Sequence, residues 1–178
     1  MGIYSGETKK DFVYIWPKTL GPKNPDTVVS CLDLHLRRNE EENRKWSIFY
    51  GDNTRSQNKN YTVVFYFNHL LSTGFRERID FKFLVAGHSF GAVDRSGGRS
   101  ENVVLSKSEK TETPKDYVNL MNSSSLYTKV TWKEVEQRDL KLYSTWFREI
   151  YEEKTKDIYG KVIVLVTQCI LIMESERG

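Results

Sequence analysis

The chain has 178 residues, which suits one domain, or one domain with a short appendage. Hydrophobic residues make up 38% and aromatics 13%, enough for a core, so wholesale disorder is excluded. A net charge of +3 is too small to imply nucleic-acid binding by itself, and the most apolar run, Val162 to Met173, falls short of the roughly 20 residues a membrane span needs.

The elements follow in chain order. DFVYIW (11–16) is a short β-rich run stopped by Pro17, with Ile3 and Tyr4 as a candidate partner strand. The segment TLGPKNPD is a loop, and Pro25 suits the first turn of a helix carrying Val28, Val29, Cys31, Leu32, Leu34 and Leu36. The charged run RRNEEENRK ends that helix. WSIFY (46–50) is a compact apolar strand stopped by Gly51-Asp52-Asn53. A helix is predicted from Gln57 to Ser72, packing through Val63, Val64, Phe67, Leu70 and Leu71 and closed by Gly74. IDFKFLV (79–85) is the next strand. This strand-helix-strand order with short loops predicts two parallel strands and a right-handed crossover.

Beyond Ser89 the pattern weakens. Glu101 to Lys110 suits a short amphipathic helix, and PKDYVNLM (114–121) another, with Thr113 as its cap. Leu126 to Trp132 alternates like a strand. Glu134 to Lys154 has helical spacing, with Leu140, Tyr143, Phe147 and Ile150 near one stripe. Lys161 to Met173 suits a β-ribbon or a buried helix equally. The expected division is a core over 1–125 and an appendage over 126–178.

Two cysteines, Cys31 and Cys169, lie far apart in apolar segments, as buried, reduced thiols of an intracellular protein do. The N-terminal MGIYSGETKK has no apolar signal-peptide stretch. Charge is unevenly placed. Between Gly51 and Lys115 there are ten Lys/Arg against seven Asp/Glu, whereas the rest of the chain holds seventeen of each. The whole excess lies there, as a phosphate-facing patch or an ordinary solvated surface.

Residues just past the carboxyl ends of two parallel strands emerge on one sheet edge. Asp52 follows the first strand by two positions, His88 the second by three, and Asp94 lies six further on. Grouped carboxylates suit Mg²⁺ or Mn²⁺, which take oxygen ligands and assist phosphodiester cleavage. The plainer alternative is a pair of turns with a hydrogen-bonded histidine. Gln57, Asn58, Lys59 and Asn60, opening the next helix, suit a phosphate oxygen or simple capping. Tyr143, Trp146, Phe147 and Tyr151 suit core packing better than base stacking. His35 and His69, on helices without ligand partners, read as structural.

The run Tyr50-Gly51-Asp52-Asn53-Thr54-Arg55-Ser56-Gln57-Asn58-Lys59-Asn60 resembles the signature Y-S-D-N-C-x-x-Q-N-K-N. That signature belongs to a family of transposable-element-derived proteins abundant in invertebrate genomes. Further on, IDFKFLVAGHSFGAVDRSGGRSEN resembles the family's I-D-H-K-F-L-x-x-G-H-S-x-x-x-x-D-R-x-F-G-x-I-E-K, and Thr113 to Asn119 its P-x-D-W/Y-V-N. The resemblance spans most of residues 11–140. It implies an RNase H-like mixed sheet with flanking helices, as in transposases that cut DNA with three metal-binding acids. Asp52 matches the acid after the fourth strand, and Asp94 or Glu101 the third. The first acid is expected on a strand upstream of Met1, since neither Glu7 nor Asp11 matches it.

Four departures stand out. Gly51 replaces Ser, Thr54 Cys, Gly97 an aromatic and Ser100 an aliphatic residue; in addition, Trp16-Pro17-Lys18 stands where an acid is usual. The expected function is therefore a transposase-derived, nuclease-like domain that acts on or binds DNA in the nucleus, with incomplete or lost metal-dependent chemistry. Its catalytic set would be Asp52, Asp94, Glu101 and His88. Mg²⁺ or Mn²⁺ would be held by Asp52, Asp94 and Glu101, and DNA contacted by Arg55, Gln57, Asn58 and Lys59. No membrane partner and no small-molecule cofactor are expected. The alternative is a non-catalytic nucleic-acid-binding or protein-interaction remnant on the same scaffold.

Overall fold

Alternation in KDFVYI turns Phe12 and Tyr14 inward and makes strand β2 (Lys10–Ile15). The structure, a computed structural model, describes residues 1–38, 44–52, 54, 57–83, 111–123, 129–151 and 171–175. Strand β1 (Gly2–Ser5) is the partner strand of β2 expected at Ile3 and Tyr4; the pair is antiparallel, with Ile3 opposite Phe12. Strand β5 (Val130–Glu134) pairs with β2 in parallel, with Val13 opposite Trp132, and the three form a mixed sheet.

Helix α3 (Pro114–Ser123) starts at a reciprocal cap. The Thr113 hydroxyl accepts the Asp116 backbone N–H at 3.1 Å, and the Asp116 carboxylate accepts the Thr113 N–H at 2.9 Å. Its Met121 packs with Trp132 of β5, surrounded by Val13, Ile15, Tyr117, Val118 and Val130. Asn122 ties helix to strand like a short backbone ladder. Its Nδ2 donates to the Trp132 carbonyl at 2.9 Å, and its Oδ1 accepts the Trp132 N–H at 3.0 Å.

A second group of elements surrounds a parallel sheet. Helix α1 (Pro25–Arg38) begins at Pro25, with Asn24 Oδ1 accepting the Thr27 N–H at 2.9 Å, and it buries Val29, Cys31, Leu32 and Leu36. Strands β3 (Trp46–Gly51) and β4 (Arg78–Phe83) run parallel, with Ile48 opposite Asp80, and helix α2 (Tyr61–Ser72) connects them. Strand β6 (Leu171–Ser175) adds in parallel to the far side of β4. Helix α2 lies on one sheet face, where Phe67 stacks on Phe49 at 4.8 Å and meets Phe81 edge-on at 5.0 Å. Helix α4 (Tyr143–Tyr151) packs on α1 and α2, with Tyr143 edge-on to Tyr66 at 5.7 Å. Gly74, with φ +74°, turns the chain out of α2 towards β4.

The protein is thus α/β, and it divides into two compact units. One comprises Met1–Pro22 and Phe90–Arg138, the other Lys23–Ser89 and Asp139–Gly178, so each draws on residues from both sides of position 125. Among the described residues the strands form two three-stranded sheets, one mixed and one wholly parallel.

Three boundaries differ from expectation. The helix expected from Gln57 begins at Tyr61, because Asn60 adopts an extended backbone and takes the Val63 N–H on its side chain. The strand expected over Leu126–Trp132 runs on to Glu134 as β5 (Val130–Glu134), where β2 sets the register, and its first residues, 126–128, lie outside the described residues. The helix expected from Glu134 begins only at Tyr143, where Asp26 accepts the Ser144 N–H at 2.6 Å and the Ser144 hydroxyl at 2.8 Å. The helix expected at Glu101–Lys110, and most of Lys161–Met173, lie outside the described residues. No described helix is long and apolar enough to cross a membrane.

Candidate metal and nucleic-acid site

The carboxyl ends of β3 and β4 lie side by side, with Gly51 opposite Phe83. A Cβ on Gly51 would stand 3.1 Å from the Phe81 ring and 3.4 Å from the Asn58 Cβ, so a residue without a side chain lets the loop fold back this closely. Asp52 follows, half-buried. Its Oδ1 accepts the Thr54 N–H at 3.1 Å and the Asn58 side-chain amide at 2.6 Å. The Thr54 carbonyl in turn takes the N–H groups of Gln57, Asn58 and Lys59 at 3.3, 2.9 and 3.1 Å. Asn60 closes the loop: Oδ1 caps α2 through Val63 at 3.2 Å, and Nδ2 donates to the Gln57 carbonyl at 2.8 Å. The Lys59 ammonium lies 5.1 Å from the centre of the Phe83 ring, at the end of β4.

Of the expected site residues, Asp52, Gln57, Asn58 and Lys59 share this loop. Arg55, His88, Asp94 and Glu101 lie outside the described residues. The amides expected at the head of α2 turn inward, Asn60 as cap and Asn58 onto Asp52. Among the described residues, no group of three His, Cys, Asp or Glu side chains is placed to hold a metal ion. Asp52 does suit a hard cation as one ligand. One oxygen is fixed by two donors, while Oδ2 accepts no hydrogen bond from a described residue.

Over residues 1–160 the sequence matches the family described as Domain of unknown function (DUF7869). The chain belongs to the DUF7869 family. No curated protein and no solved structure matches it.

Sequence reasoning missed a second polar cluster in this DUF7869 chain. Asp33 on α1 is buried, accepts the Arg37 guanidinium at 2.9 Å and the Tyr66 hydroxyl at 3.0 Å, and has the Lys141 ammonium at 3.7 Å. Burial, with the Asp33 charge beside it, raises the Tyr66 phenol far above its ordinary range. Tyr66, Tyr143 (which also hydrogen-bonds Asp33), Arg37 and Lys141 around one carboxylate satisfy a buried charge, which is a structural role. Their separation in sequence hid it: only Arg37 lies at helical spacing from Asp33.

The expected core residues Tyr143 and Phe147 are buried, whereas Trp146 and Ile150 are each 38% exposed. Trp146 meets His69 edge-on at 4.9 Å. Burial, and then the Arg37 charge, lowers the His69 pKa. Burial pushes the Cys31 thiol up to about 12, as expected of an inert core cysteine.

Proposed function

We propose that this chain is a nuclease-like, DNA-binding domain of transposase descent with an RNase H-like fold, acting in the nucleus. The observation that carries the reading is the place of Asp52. It stands at the carboxyl end of β3, beside β4, with one carboxylate oxygen fastened by the Thr54 N–H and the Asn58 amide. The parallel β3-α2-β4 unit and the mixed β1-β2-β5 sheet support the fold assignment. The motif resemblance supports the descent.

In this reading Asp52 and one of Asp94 or Glu101 hold Mg²⁺ or Mn²⁺, and His88 positions a reacting group. Arg55 and Lys59 neutralise DNA phosphates. A bound divalent cation would supply charge stabilisation and an activated water at the phosphodiester. The 178 residues provide two of the three acids that the resemblance calls for, so DNA binding with weak or no cleavage is the activity expected of them alone. Calorimetry with Mn²⁺ tests the assignment: binding should be weak, since two carboxylates leave most of the coordination to water, and Asp52→Ala should abolish it. Binding that survives Asp52→Ala unchanged, or no binding at all by the native chain, would sink it.

A non-catalytic interaction module on the same scaffold is favoured by one feature. Trp46, Ile48 and Tyr50, on the face of β3 away from α2, are 69, 59 and 59% exposed. If that is the role, Asp52→Ala leaves partner binding intact.

A further inference from the structure

We infer that this chain pairs with a second copy of itself through β3, edge to edge and antiparallel, about a two-fold axis at Ile48. The inference gives the interaction-module reading of that strand its partner, and it does not require a cation at Asp52. Strand β3 ends the order of its sheet, and no described strand pairs with its outer edge. The Lys45 carbonyl takes the Arg78 N–H of β4 at 3.1 Å. Successive residues of a parallel strand turn their backbone groups to alternate sides, so Trp46, Ile48 and Tyr50 direct their N–H and C=O groups outward. Their side chains, 69, 59 and 59% exposed, stand on the sheet face away from α2. The devices that usually guard such an edge are missing, since Trp46 to Tyr50 contains neither a proline nor a charge.

A second copy fits this edge because the strand complements itself. With Ile48 opposite Ile48, antiparallel pairing sets Trp46 opposite Tyr50 of the copy. Each of these facing pairs exchanges both of its N–H and C=O bonds, because all three residues point their backbone outward. The exposed face then carries an aromatic pair on either side of an aliphatic one, and such cross-strand pairs are stabilising. Charge agrees with the same register. Just outside the paired segment, Arg44 comes level with Asp52 of the copy, opposite in sign. So exposed a pair adds little strength, but no like charges meet. A nucleic-acid strand fits less well. Beside the apolar strip, Arg78 is already held by Asp80 at 2.8 and 2.9 Å, and Lys82 has Glu174 opposite it on β6. So short an edge buries less than the roughly 1,200 Å² at the lower end of standard interfaces, so the dimer is weak and reversible.

The test uses the full chain, in sedimentation equilibrium over a concentration series, with amide hydrogen exchange as a second readout. The native chain should pass from monomer to dimer as concentration rises. In the dimer the amides of Trp46, Ile48 and Tyr50 should exchange more slowly, while those of Ser47 and Phe49, turned towards β4, stay as they were. Ile48→Lys sets two ammonium groups against each other on the axis, and Ile48→Glu two carboxylates. Each variant alone should keep the native melting temperature and dimerise about 10-fold more weakly or worse. An equimolar mixture of the two should dimerise again, because opposite charges then meet on the axis. A native chain that stays monomeric throughout overturns the inference and leaves the interaction-module reading to a different partner. A dimer indifferent to both variants, or a mixture that stays monomeric where the native chain dimerises, overturns it too, since the contact then lies elsewhere. Should either variant melt early, the exchange pattern of the native dimer decides: protection at Trp46, Ile48 and Tyr50 upholds the pairing, and its absence overturns it.

Discussion

Gly51 leaves almost no room for a side chain, since the nearest atoms to an added Cβ belong to the buried Phe81 ring. In the motif that this segment resembles, serine stands at position 51 and histidine at position 81, so both members of this contact differ from it. Gly51→Ser is therefore expected to destabilise the protein by about 1–3 kcal/mol through overpacking. Adding Phe81→His, a smaller ring, should recover part of that loss. Urea melts of the two single variants and the double variant measure the coupling, and strict additivity would show that the sites are independent. His69 gives a second residue-level expectation. Its folded pKa lies below its ordinary 6.5, so the unfolded chain binds the proton more readily. This contribution to stability is complete above about pH 6.5 and is lost as pH falls through the folded pKa. An NMR titration should place the His69 midpoint below 6.5, and His69→Gln should remove that part of the acid sensitivity. At this scale Asp52 was legible because a strand stop marks it. The hydrogen bond from Asn58 to Asp52 was not, because an amide near a helix start reads equally as a cap or a phosphate ligand until its partner is seen.

Elements were legible where their signals are local. Pro25 opens α1, Thr113 and Asp116 open α3, and the alternation in KDFVYI marks β2. Helix α4 was misjudged because its starting point is set from outside, by the carboxylate of Asp26 on α1. Asp26→Ala should accordingly cost about 1–2 kcal/mol, the upper part of the range for a lost cap. Ser144→Ala, which keeps the backbone contact, should cost less; equal losses would show that the hydroxyl rather than the cap is responsible. Strand β3 carries a different expectation. It ends the order of its sheet among the described residues and shows Trp46, Ile48 and Tyr50 on one face. Below them, Arg78 grips Asp80 at 2.8 and 2.9 Å in a groove of about 350 Å³. Parallel sheets are usually covered on both faces, and exposed apolar edges promote association. Ile48→Lys should lower self-association at high concentration in light scattering without lowering the melting temperature.

Across the whole molecule, the sequence reading placed nearly every described strand and helix within a few positions, α4 and β6 excepted, and it paired β1 with β2 and β3 with β4 but left β5 and β6 without partners. Grouping depends on pairings between distant segments, such as β2 with β5 and β4 with β6. Neither unit is continuous in sequence, so neither can be released by one cut. A fragment ending at residue 125 would lose β5 from the first unit and α4 and β6 from the second. It should show no cooperative melting transition; a sharp one would mean that the core over 1–125 stands alone. Charge also acts at this scale. Under the proposed DNA-binding role, affinity falls steeply with salt, and Arg55→Ala with Lys59→Ala should flatten that slope by up to about two phosphate equivalents. Replacing Lys154 and Lys156, in the charge-balanced remainder of the chain, should leave the slope unchanged.

The pairing of β2 with β5 sets a delay during synthesis. Phe12 meets Thr131 across the sheet, so the β1-β2 hairpin leaves the ribosome long before its parallel neighbour exists. At about 5–20 residues per second, the wait lasts roughly 6–24 s. During it, the edge of β2 destined for β5 stays unpaired, and the side chains meant for the Met121–Trp132 core stay uncovered. A two-stranded hairpin is marginal in water by itself, so the nascent amino-terminal segment remains close to unfolded for that interval. Heterologous expression should therefore respond to temperature and to holding chaperones more than to any single core substitution.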